Sequence, residues 1–145
     1  MDKYSRAVNL CGAPGMGQHT KVTNQIILAG NMAGTVEGLM YASKAGLDLN
    51  HTIDTISLGA ASSTALNVLG RRMVAGNYDP GFYVEHYIKD LGIALEECDR
   101  MGLSLPCLAL VKQFYVALKA QGGGQLGTQA LIKVLENMNA HNIRK

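Results

Sequence analysis

The stretch Thr20-Lys21-Val22-Thr23-Asn24-Gln25-Ile26-Ile27-Leu28-Ala29-Gly30-Asn31-Met32-Ala33-Gly34-Thr35-Val36-Glu37-Gly38-Leu39-Met40-Tyr41-Ala42-Ser43-Lys44-Ala45 decides the fold. It holds no proline, and Val22, Ile26, Ala29, Ala33, Val36 and Met40 recur at steps of three and four. That is the period of one helical face. Thr20 suits the start and Gly46 the stop. A helix over this stretch spans about 39 Å at ~1.5 Å per residue, against a usual length of ~11–12 residues. A helix so long crosses a whole molecule or lines an interface. Gly30, Gly34 and Gly38 stand four apart on one of its faces. Each costs about 1 kcal/mol relative to alanine in a helix interior, which close approach of another backbone along that face would offset.

Downstream the same periodicity continues in shorter pieces. It predicts helices over 49–58, 63–73, 84–101, 105–121 and 128–138. Gly76-Asn-Tyr-Asp-Pro-Gly81 punctuates them as a turn. Pro106 fits the first turn of its helix, and Gly122-Gly-Gly124 interrupts the pattern. No strand-type alternation follows residue 20. The class is therefore all-α, with six or so helices and the shorter ones packed on the long N-terminal one. Upstream, residues 1–19 are rich in glycine. Ala7–Cys11 reads as the end of a strand running into the loop Gly12–Gly17. Residues 1–19 are thus expected to be the residual end of a preceding domain and a linker, and residues 20–145 an all-helical domain.

Composition bounds the partners. Of 145 residues, 48% are hydrophobic and 17% charged, which suffices for a core. A net charge of +2 with scattered basic residues excludes a nucleic-acid-binding face. Cys11, Cys98 and Cys107 are odd in number and lack CxxC spacing, which excludes a disulfide framework or a zinc site. His19, His51, His86 and His141 share no helical spacing with carboxylates, so no metal is expected. No signal segment opens the chain and no apolar run reaches the roughly 18 residues of a membrane span. A soluble, cytoplasmic protein without a membrane partner is expected.

Three motifs carry possible chemistry. Gly12-Ala-Pro-Gly15-Met-Gly17-Gln-His-Thr mimics the phosphate loop GxxxxGK[ST], but Gln18 and His19 replace its Lys and its hydroxyl. What remains is a glycine-rich entry to a helix, which favours close backbone approach. Lys21 and Asn24, three apart, share a helix face. A lysine near a helix N-terminus stands against the positive end of the dipole, and a residue held there is a candidate for proton transfer. Asn24 can donate and accept hydrogen bonds. On periodicity alone, however, both read as exposed polar side chains. Lys89-Asp90 likewise reads as solvated surface, and Phe82 as core.

Taken in order, these pieces resemble a known family. Gly15-Met-Gly17-Gln-His-Thr-Lys21-Val-Thr-Asn24-Gln25 is similar to the GxGxxxKxxNN/Q signature of the β-hydroxyacid dehydrogenases. Ala42-Ser-Lys-Ala-Gly-Leu47 looks like the end of that family's long interdomain helix. Pro80-Gly-Phe82 and Lys89-Asp90-Leu91 fall where the family has PGF and KDL. Gly122-Gly-Gly-Gln-Leu126 resembles the tartronate semialdehyde reductase branch. The resemblance runs from about residue 7 to 138.

It implies the 6-phosphogluconate-dehydrogenase C-terminal-like helical fold, the substrate and dimerisation half of an NAD(P)-dependent oxidoreductase. NAD or NADP would be bound mainly by an N-terminal Rossmann domain, without which this chain is expected to be inactive. By position, Lys21 matches the catalytic lysine and Asn24 the asparagine that positions substrate and lysine. Lys89 matches the lysine reaching the cofactor, Asp90 the acid beside it, and Phe82 an aromatic near the nicotinamide. Gly15 and Gly17 match the loop that lets backbone approach the site. The implied partners are a small β-hydroxyacid or semialdehyde, the Rossmann domain, and a second copy in a homodimer or higher oligomer. The other reading is a non-catalytic helical module for oligomerisation or small-molecule binding. One departure stands out. Where the family's C-terminal loop reads GxGxxDxSA, this chain has Gly127 and Gln129.

Overall fold

The structure is a computed structural model and describes residues 9–144. Six α-helices follow one another: α1 (Met16–Lys44), α2 (Leu49–Ile56), α3 (Arg71–Ala75), α4 (Val84–Met101), α5 (Pro106–Leu118) and α6 (Ile132–Asn139). A π-helical turn, Ala65–Gly70, runs straight into α3, and another, Lys119–Gly123, extends α5. A short 3-10 turn, Thr128–Leu131, leads into α6. Among the described residues there is no strand; Tyr83 and Gly127 form an isolated antiparallel bridge. The expected all-α class is what the chain adopts.

The spine, α1, has 29 residues, about 43 Å of helix at ~1.5 Å per residue. It begins at Met16, four residues before the expected start. The reason lies in Gly15, whose φ of 92° is a left-handed conformation open to glycine at little cost. The chain turns there, so Thr20 is already inside the helix. Its hydroxyl donates to the Met16 carbonyl at 2.9 Å and caps nothing. The inward stripe also differs from the expected one. Gln25, Ala29, Met32, Val36 and Leu39 are buried, while Val22, Ile26 and Ala33 flank them half-covered.

The expected strand end is absent where it can be seen. Asn9–Cys11 are irregular and exposed, and Ala7 and Val8 lie outside the described residues. A strand needs a neighbour to take its backbone hydrogen bonds, and the described chain offers none there.

The other helices close round α1, with α4 and α5 forming the most extensive pairing. Their core is Leu91, Ala94, Leu108, Val111, Tyr115 and Leu118 against Met32 and Val36. Each large aliphatic side chain so buried contributes about 1.5–3 kcal/mol. Asp48 caps α2 by accepting from the His51 amide at 2.7 Å. Pro106 opens α5 as expected. The glycine run does break a helix, at Gly122, which has a φ of 86°. No helix among the described residues is long and apolar enough to cross a membrane.

Candidate active face

Two segments far apart in sequence, the N-terminal halves of α1 and of α4, meet on one face. The join is made by Gln25, which is 2% exposed. Its amide donates to the Asp90 carboxylate at 2.7 Å. Its side-chain oxygen accepts from the Asn24 amide at 3.1 Å. Its backbone carbonyl accepts from the Tyr87 hydroxyl at 2.9 Å. Lys89 sits 3.7 Å from the other Asp90 oxygen, with its side chain 70% exposed. A continuous polar chain thus runs Asn24, Gln25, Asp90, Lys89. Its interior members are fixed by burial and its two ends stay open to solvent.

Lys21 belongs to the same face. Its amine stands 5.8 Å from the centre of the Phe82 ring, within cation–π range. The Phe82 ring leans on Tyr87 with centroids 5.5 Å apart, and Tyr87 meets Tyr115 edge-on at 5.0 Å. Phe82 is therefore backed by the core. A shallow cleft of about 180 Å³ lies beside the amine, lined by Gln18, Lys21, Val22, Gln25, Asp90 and Ile93. Lys21 falls in the second turn of α1 and is exposed. The dipole's influence fades beyond the first turn, so Lys21 is not held against the helix electrostatics as its sequence position implied.

Burial raises the hydroxyl pKa of Tyr87 well above its ordinary value, and the nearby Asp90 charge adds to the effect. Burial does the same for Tyr115, with Tyr87 contributing. Both phenols stay protonated as donors, Tyr87 to Gln25 and Tyr115 to the Thr128 carbonyl at 3.1 Å. They act as struts behind the face.

Of the residues singled out from sequence, Lys21, Asn24, Phe82, Lys89 and Asp90 are brought together. Gly15 is required by its backbone conformation. Gly17 lies in the first turn of α1 with open space around it. Gln25, which closes the Gly15–Gln25 motif, and Tyr87, two residues before Lys89, are the parts that the sequence does not mark out. Nothing in a helical pattern shows that a glutamine will face inward. Cys98 is buried, Cys11 and Cys107 are exposed, and no cluster of three or more potential metal ligands occurs among the described residues.

The described residues thus present an open lysine–asparagine face beside an aromatic ring. The profile for the NAD-binding region of NADP-dependent 3-hydroxyisobutyrate dehydrogenase matches residues 15–135, and the chain belongs to that family. It is 54% identical over 132 residues to a probable mitochondrial 3-hydroxyisobutyrate dehydrogenase-like protein of Arabidopsis thaliana, covering 91% of this chain and 40% of that one. It is 39% identical over 136 residues to 2-hydroxy-3-oxopropionate reductase of Escherichia coli, covering 94% and 47%. The structure of 3-hydroxyisobutyrate dehydrogenase from Mycobacterium tuberculosis superposes with a TM-score of 0.78 at 27% identity, over 86% of this chain and 45% of that one. The chain thus spans less than half the length of each of these relatives.

Proposed function

We propose that this chain is the substrate-side half of an NAD(P)-dependent β-hydroxyacid dehydrogenase and supplies its proton-transfer lysine. The observation that carries the reading is the join at Gln25. It gathers Lys21, Asn24, Phe82, Lys89 and Asp90, from two distant segments, onto one open face.

The described residues form one wall and contain no βαβ unit to hold a pyrophosphate. What they offer toward a nicotinamide cofactor is the half-buried Phe82 ring and the exposed Lys89 amine, which would meet it from this side. When bound, the cofactor supplies or accepts the hydride. In the reducing direction, the Lys21 ammonium donates a proton to the substrate carbonyl oxygen as the carbonyl carbon takes up the hydride, and the oxygen stays on that carbon as the product hydroxyl. In the oxidising direction, the Lys21 amine takes the proton from that hydroxyl. Asn24, with its amide donating to Gln25, offers its own oxygen to orient the substrate or the amine. Asp90 holds Lys89 and Gln25 in place and takes no part in the proton's path.

The substrates that fit the family are small: tartronate semialdehyde and glycerate, or methylmalonate semialdehyde and 3-hydroxyisobutyrate. The opposing body is a Rossmann domain of the same protein. A second copy packing along the open Gly30–Gly38 face of α1 is the oligomeric partner, and the space left there supports it.

The test is NAD(P)H oxidation by the full-length protein with a panel of small semialdehydes, comparing wild type with Lys21→Ala. Loss of a proton-transfer group lowers the rate by about 10²–10⁴-fold. An unchanged rate moves the proton relay away from Lys21. No turnover by wild type on any semialdehyde removes the dehydrogenase reading.

A further inference from the structure

The turn that carries Phe82 is held from behind by a single buried side chain. Gln129 is 1% exposed. Its amide nitrogen donates to two backbone carbonyls of the turn, Asn77 at 3.1 Å and Asp79 at 3.0 Å. The backbone beside it completes the grip. The Gly127 amide donates to the Tyr78 carbonyl at 2.8 Å, and the Thr128 amide to the Phe82 carbonyl at 3.1 Å. Arg72 also donates to the Asn77 side chain and to the Asp79 carbonyl. The segment 77–82 has no helix of its own to rigidify it, so these contacts set where the Phe82 ring lies.

Gln129 reaches the turn only because residue 127 is glycine. A Cβ on Gly127 would overlap the Gln129 carboxamide itself. Gly127 is not in the left-handed region; its φ is −69°. The backbone would accept another residue there, so the glycine answers a need for space. Gly127 and Gln129 are thus one interlocked unit, and they stand at the two places where the chain departs from the DxS loop pattern. The carboxamide takes up room beside residue 127 that any side chain there would need, and spends its two N–H groups on the turn.

We propose that Gln129, seated against Gly127, is a positioning residue for the Phe82–Lys21 pair. By fixing the 77–82 turn it sets the aromatic ring on which the Lys21 amine rests. The effect on rate rests on the dehydrogenase reading above; the effect on the geometry of Lys21 does not.

The experiment uses the full-length protein, with Gln129→Met, which keeps the volume and removes both donors. Val134→Ala in α6 serves as a control that loosens the core away from the turn. Two readouts are taken. In steady-state reduction of a semialdehyde, Gln129→Met should lower kcat by about 10- to 100-fold, the scale of a small misplacement, and leave the substrate KM within about threefold. After reductive ¹³C-methylation, the Lys21 signal, assigned by its absence in Lys21→Arg, should move toward the position it takes in Phe82→Leu. Val134→Ala should do neither. Gly127→Ala should reproduce both effects when Gln129 is present and add nothing in a Gln129→Ala background, the non-additivity of two groups sharing one space. A wild-type kcat and an unmoved Lys21 signal in Gln129→Met overturn the proposal. So does an equal fall in Val134→Ala, which would make the effect one of stability alone. If the wild type turns over no semialdehyde, the dehydrogenase reading fails, and the Lys21 signal alone decides the positioning role: a shift upholds it and no shift overturns it.

Discussion

At Gly123 and Gly127 the space where a side chain would stand is already filled, whereas along Gly30, Gly34 and Gly38 it is empty. A Cβ on Gly123 would come within 2.7 Å of the Leu118 side chain and 2.9 Å of the Leu118 carbonyl oxygen. A Cβ on any of the three α1 glycines would meet nothing within 4 Å. The first pair is explained by the chain's own packing. The second set is a stripe of small residues along one side of the longest helix, each lowering helix stability, with no close neighbour among the described residues. The sequence predicts close backbone approach there, and the described residues do not provide it. The stripe borders a groove of about 260 Å³, whose other wall includes Thr52, Ile56, Ala61 and Leu66. One set of glycines records contacts already made, and the other leaves room for contacts with something else.

The largest effect in this comparison is expected at Gly123. Gly123→Ala should destabilise the chain by about 1–3 kcal/mol, since a backbone oxygen cannot swing aside as a side-chain tip can. Urea unfolding reads this directly, and a neutral result would mean that the end of α5 is looser than its geometry indicates.

The next effect is at the strut behind the filled region. Tyr115→Phe removes the donor to the Thr128 carbonyl and should cost about 1–1.5 kcal/mol at neutral pH. It should also change the response to alkali. The unfolded phenol titrates near pH ~10. Burial raises the folded values of Tyr87 and Tyr115 above that, so the native state holds its protons longer than the unfolded one. Stability from these groups is whole below pH ~10 and falls as the pH rises past it. Melting temperature measured from pH 8 to 11 should therefore drop at the alkaline end, and drop less in Tyr115→Phe. A flat profile in the wild type would contradict the burial of both hydroxyls.

The smallest effect has the opposite sign. In dilute, monomeric protein Gly34→Ala should stabilise α1 by about 0.8–1 kcal/mol through helix propensity alone. In the full-length protein the same substitution should weaken self-association, read by sedimentation velocity. If it lowers the melting temperature of the monomer, the glycine stripe faces something within the chain after all.

Much of the architecture was legible in local sequence. The span of α4 was read to the residue, because Pro80-Gly81 before it and Gly102 after it punctuate a clear amphipathic run. The start of α1 is not legible, because Thr20 offers a capping hydroxyl whereas the turn is made at Gly15, whose φ is invisible in a sequence. The sequence predicts plain α-helix at the end of α5 and in the segment before α3. In the structure they are π-helical turns, where the backbone winds wider over Ala65–Gly70 and Lys119–Gly123. Periodicity over five or six residues is too short to separate the two forms.

The residues of the candidate face divide the same way. Lys21, Asn24, Phe82, Lys89 and Asp90 were picked out by motif order, which is a property of the linear chain. The parts that join them were not. Gln25 is polar, and helical periodicity assigns polar residues to the outside. It is buried because Asp90 and Tyr87, more than sixty residues away, satisfy its hydrogen bonds, so its desolvation costs little. Gln129 is the same case, buried because two carbonyls of a distant turn need a donor and because Gly127 leaves it room. Hydrophobic period, proline and glycine placement act over one or two turns, so the sequence by itself determined the helices, their order and the all-α class. Which polar side chains turn inward, and so which motifs share a face, depends on partners brought together by folding. Only the tertiary structure decided that.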